Sequence, residues 1–137
     1  IFASCNSAEF QQQLEAVQSE LKTAEETIEN LKSQIEPEGE LVHVVFFKLK
    51  PDADQAALIS EIKKLEEINE VLDLEVGPFE DLGDERALSE YSVMMEMSFK
   101  DLASYKIYQT HPIHLALREN AGSFLAGPPA TYDFFKK

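Results

Sequence analysis

Between Phe10 and Ile35 the apolar residues fall at alternating intervals of four and three. The series is Phe10, Leu14, Val17, Leu21, Ala24, Ile28, Leu31 and Ile35, and the positions between are mostly Glu, Gln, Lys, Ser and Thr. Neither Gly nor Pro interrupts residues 8–36. A repeat averaging 3.5 residues suits a helix with one apolar seam. The stripe is narrower than the apolar face of a helix packed on its own globule. Residues 8–36 are therefore expected to form a coiled-coil-like helix. A lone helix of this length is marginal in water, while burying the seam would contribute on the order of 10–20 kcal/mol gross. The seam needs a partner, and a second copy of the chain is the expected one. Packing on the chain's own domain is the alternative. Glu20 and Glu25, at g and e positions, would repel mildly in a parallel pair.

The stretch "EPEGE" stops the helix. Pro37 and Gly39 break it and the acids keep it wet, so residues 37–40 read as a linker. Upstream, "IFASCNS" places an apolar residue and two small ones before Cys5, the lone cysteine of the chain. That order resembles the end of a bacterial lipoprotein signal. Residues 1–7 then hold a signal-peptide remnant and a lipidation site at Cys5. The expected location is the bacterial cell envelope, with the membrane contacted only through that anchor.

Residues 41–137 alternate two periods. "LVHVVFFKL" is apolar on both faces, as a central strand is. "PDADQAALISEIKKLEEINE" offers capping Asp residues near 52–54 and a stripe of Leu58, Ile62 and Leu65, so it reads as a helix. "VLDLEVGPF" alternates at Leu72, Leu74 and Val76. "EDLGDERALSE" is an acidic loop. "YSVMMEMSF" sets Tyr91, Val93, Met95, Met97 and Phe99 on one strand face. Helical signals return over Asp101–Tyr108 and again after Pro112, and "ATYDFF" closes as a short strand. The order β-α-β-β-α-α-β predicts an α+β, ferredoxin-like domain. One face of its sheet would lack cover, and the two-sided apolarity of residues 41–49 suggests that a partner sheet supplies it.

Charge narrows the partners. The formal net charge is −14, and no basic run offsets it. Such a surface repels nucleic acid phosphates, so no nucleic acid partner is expected. Five glycines form no phosphate-cradling loop. No G-x-S-x-G motif points to a nucleophilic serine.

Several separated stretches, "LVHVVFFKLKPDA", "LEVGP", "MSFKDLASYKIYQTHPIH" and "TYDFF", occur in the order found in one family. On them the domain resembles the stress-responsive A/B barrel, or Dabb, family. The resemblance covers about residues 41–136. It implies a homodimer in which two sheets face each other as a barrel, and a cavity between sheet and helices in each chain. The family is functionally mixed. One plant member closes a polyketide ring by intramolecular aldol condensation, and its functional residues fall here on His43, Tyr108, His111 and His114. A further histidine of that member falls on Val93, so its substrate and reaction do not carry over.

The residue types fit an apolar pocket with a few polar groups. His43 shares a strand face with Val45 and Phe47. His114 is a candidate general base, Tyr108 a donor to a developing enolate, and His43 an orienting group. The candidate ligand-pocket set is His43, Val45, Phe47, Tyr108, His111 and His114. His111, just before Pro112, equally suits a helix cap. A metal held by His43, His111 and His114 lacks a carboxylate to fix its geometry, so neither metal nor cofactor is expected. The primary expectation is a lipoprotein-tethered dimeric domain with a stress-related role, binding a small apolar or aromatic ligand. The alternatives are a cyclase-like or cofactor-independent oxygenase-like enzyme using His114, Tyr108 and His43, and a purely structural dimerisation module.

Overall fold

The computed structural model describes the backbone of residues 3–137 and the side chains of residues 7–137. The side chain of Cys5, the candidate lipidation site, lies outside the described residues. The chain divides after Glu36 into two units. The first is helix α1, Ala3–Ile35. Its seam stands exposed in the single chain, from Phe10 (67%) to Ile35 (79%).

The second unit is a four-stranded antiparallel sheet with helices on one face. Strand β1 is Leu41–Phe47 and β2 is Val71–Pro78. Strand β3 is Val93–Phe99 and β4 is Ala130–Phe135. Their order is β2-β3-β1-β4, so β1 is central. Helix α2, Gln55–Lys63, begins where the Asp54 carboxylate accepts from Ala57 N–H and runs on into a 3₁₀ turn, Lys64–Glu67. Helix α3, Leu102–Thr110, is capped likewise by Asp101, which also accepts from the Ser104 hydroxyl. Helix α4 is Pro112–Ala121. Both aspartates satisfy N–H groups that a first turn leaves without partners.

The core lies between the sheet and these helices. Alternation on β3 turns Val93, Met95, Met97 and Phe99 inward, all at most 2% exposed. They meet Leu58 and Ile62 of α2, Leu65 and Ile68 beyond it, Tyr108 of α3 and Leu117 of α4. Burial of this apolar set is what holds sheet and helices together.

Two expectations fail locally. Leu72 does not share a face with Leu74 and Val76, because the pairing of β2 on β3 shifts register between Val71 and Asp73. The extra residue of this bulge sends Leu72 outward, 58% exposed, and Val71 packs on the core instead. Tyr91 precedes β3 and packs its ring on Phe46 of the opposite sheet face, centroids 5.8 Å apart. The helices of this unit pack on the core side of the sheet. Met94, Tyr132 and Phe134 stand on the opposite face, 43%, 71% and 45% exposed.

Candidate functional site

A cleft of about 760 Å³ opens between β1, β4 and the helix pair α3–α4. Val45, Phe47 and Met95 form its sheet wall, and Leu117, Leu125 and the Pro128–Pro129 turn close it opposite. Its end is pinned by hydrogen bonds from Lys50 N–H to the Phe124 carbonyl and from Ala126 N–H to the Lys48 carbonyl.

The polar side is built from three elements. His43 lies mid-way along β1 and is 7% exposed. Antiparallel register sets Asp133 of β4 directly opposite it on the same face. His43 Nδ1 lies 2.5 Å from Asp133 Oδ1. A carboxylate only accepts, so Nδ1 carries a proton directed at Asp133. Helix α3 contributes Tyr105 and Tyr108, one turn apart. Tyr105 stands 5.3 Å from His43 between ring centroids, and Tyr108 stands 6.2 Å away. Gln109 donates to the Tyr105 hydroxyl at 2.8 Å. Burial raises the pKa of both phenols; the Asp133 charge adds to the effect at Tyr105. Both hydroxyls stay protonated near neutrality and are available as donors.

His114 of α4 stacks on Tyr108, centroids 4.2 Å apart. Its Nδ1 lies 3.1 Å from the Gln109 carbonyl, which can only accept, so the proton again sits on Nδ1. Burial lowers the His114 pKa first of all; the Gln109 bond opposes this, and the charges of Arg118 and His43 add to it. His114 is thus a neutral imidazole with a basic Nε2, one requirement of a general base near pH 7.

His111 stands apart. Its Nδ1 accepts from Ile113 N–H at 3.3 Å, and its own N–H donates to the Tyr108 carbonyl. It ends α3, caps α4 and does not line the cleft. Of the expected pocket set, His111 alone is not brought to this cleft, and its Nδ1 serves the cap of α4. His43, Val45, Phe47, Tyr108 and His114 all line the cleft. Among the described residues no three His, Cys, Asp or Glu side chains gather as metal ligands would.

The family model of the stress responsive A/B barrel domain matches residues 41–131, about two thirds of the chain. The chain belongs to this family. Solved structures share the fold of the Dabb domain. A Dabb family protein with a ferredoxin-like fold from Mesorhizobium loti is 24% identical, with a TM-score of 0.61 over 73% of this chain and 99% of that one. A dimeric ferredoxin-like protein of unknown function from Thermobifida fusca is 21% identical, with a TM-score of 0.59 over 72% and 92%. Hydroxynitrile lyase from Passiflora edulis is 19% identical, with a TM-score of 0.62 over 74% and 96%. No curated protein matches the chain.

Three polar residues of the Dabb cleft escaped the sequence reading, Tyr105, Gln109 and Arg118, as did Asp133 behind His43. Tyr105 was within reach, since it precedes Tyr108 by three and α3 is helical. Arg118 follows His114 by four and was accessible by the same spacing. Asp133 was not. "TYDFF" gives its strand face, but only the register of β4 on β1 gives its partner.

Proposed function

We propose that this Dabb domain binds a small molecule with an apolar or aromatic body in the cleft beside His43, as one half of a homodimer. The composition of the cleft carries the reading. Its sheet wall is Val45, Phe47 and Met95, and its polar groups converge from three elements at one side. Ligand sites have this make-up: apolar walls for affinity and a few fixed polar groups for orientation. The homodimer is supported by the exposed Met94, Tyr132 and Phe134 on the sheet face opposite the core, and by the dimeric state of the Thermobifida fusca relative. Pairing of the α1 seams, lipidation of Cys5 at a bacterial cell envelope and a stress-related role belong to the same reading. They rest on the sequence and on the family.

The test is a calorimetric screen of phenols, aryl ketones and short acyl compounds against the full chain and a Leu117→Trp variant, whose indole would fill the cleft. Binding that weakens at least tenfold in the variant is expected. Absence of any binder, or binding indifferent to Leu117→Trp, overturns the reading and leaves a structural dimerisation module.

A second reading is favoured by the free Nε2 of His114. That atom would take a proton from the carbon next to a bound carbonyl. The C–H electron pair would become the C=C bond of an enolate as the carbonyl π pair moves to oxygen, and Tyr108 O–H would stabilise that oxygen. Deuterium uptake at the α-carbon of phenylacetone, lost in His114→Ala, is the expected sign. Uptake at the buffer rate in the unaltered protein rejects it.

A further inference from the structure

Arg118 lines the cleft, and it is the only lining residue with a permanent charge. It belongs to the α4 stripe His114, Leu117, Arg118 and Ala121, spaced by three, one and three, all four of which face the cleft. Among the described residues no ion pair or hydrogen bond engages its guanidinium. The other arginine, Arg86, behaves in the ordinary way and holds Asp84 through Nη2 at 2.8 Å. No carboxylate lines the cleft, and Asp133 behind it is held by His43. A chain of net charge −14 therefore leaves one fork-shaped cation without an acid, at the polar side of its cleft.

We propose that Arg118 makes this cleft selective for a carboxylate-bearing ligand, with the acid at Arg118 and Gln109 and the apolar body toward Val45, Phe47 and Met95. The inference rests on the cleft being a ligand site, and it adds the charge of the ligand. Guanidinium presents paired N–H donors that match both oxygens of a carboxylate. The placement suits an amphiphilic acid: Arg118 is exposed at the rim, while Val45 and Phe47 are buried deeper on β1. The charge of Arg118 also reaches inward: it opposes the burial-driven rise at Tyr108 and adds to the burial-driven fall at His114. The acidic remainder of the molecule repels anions. Preference for an acid over its neutral amide must therefore come from Arg118 itself.

The experiment compares ω-phenylalkanoates of three to eight carbons with their primary amides, by calorimetry on the full chain. Acids are expected to bind about ten- to a hundredfold more tightly than amides. In Arg118→Gln the preference is expected to vanish or invert; in Arg118→Lys part of it survives. Arg118 is exposed, so unchanged circular dichroism is expected for both variants. Amides that bind as well as acids, or a preference that survives Arg118→Gln, overturn the selectivity while the cleft remains a ligand site. Binding by neither series overturns both.

Discussion

The rings of Tyr108 and His114 lie face to face, centroids 4.2 Å apart and planes 24° from parallel. Tyr108 sits in the last turn of α3, and His114 sits in the first turn of α4. The corner at His111–Pro112 brings them together. Pro112 supplies a fixed φ where a helix starts and needs no N–H there. One ring is almost wholly buried and the other lines open space, so the stack joins the core to the site.

Tyr108 is 2% exposed and packs on Phe99 at 5.0 Å between centroids. Tyr108→Ala is expected to lower stability by about 3–5 kcal/mol through cavity formation. Tyr108→Phe keeps the packing and is expected to lower it by less than about 1.5 kcal/mol. Urea denaturation measures both. A Phe variant as unstable as the Ala variant would mean that the hydroxyl holds the core together.

His114 is expected to titrate below the ordinary value of 6.5, because burial disfavours its charged form. In the window between 6.5 and the lower folded value, the unfolded chain binds more protons than the native one. Stability contributed by neutral His114 is therefore present above that window and is lost as pH falls through it. Ring NMR titration of the native protein, with His114→Ala to assign the signal, reads the value directly. Titration at or above 6.5 contradicts the burial argument.

His111→Asn is expected to keep the cap of α4, since an amide oxygen can take the place of Nδ1. His111→Ala is expected to cost about 1 kcal/mol of stability. Neither should change affinity for a cleft ligand by more than about twofold, because His111 does not line the cleft. A large affinity change with stability preserved would return His111 to the site.

Phe134→Glu puts a charge on the sheet face opposite the core, where Phe134 is 45% exposed. Light scattering is expected to show a dimer for the chain lacking residues 6–36, and a monomer once Phe134→Glu is added to that shortened chain. Monomerisation by the deletion alone would mean that α1 holds the dimer and the sheet does not.

Cys5→Ser, introduced into a precursor carrying a complete signal sequence, is expected to move the protein from the membrane fraction to the soluble one. Retention on membranes removes the lipoprotein reading.

The elements themselves were legible in the residues, for reasons that are local. Period-two alternation at Val93, Met95, Met97 and Phe99 gave a strand face, and Asp54 and Asp101 marked helix starts. The failures are those of register. Leu72 was misplaced because a bulge shifts a face without any residue announcing it. Asp133 was missed because a cross-strand neighbour depends on pairing between stretches 90 residues apart. His43 and His114 were legible as histidines that line the cleft, but what holds each Nδ1 came only from the fold.

The His43–Asp133 pair has a consequence in time. Strand β1 opens the domain and β4 is its last strand, so for most of its synthesis a growing domain holds the histidine without its carboxylate. A chain cut short before β4 has no His43–Asp133 pair: the polar side of the cleft is complete only when the sheet is complete.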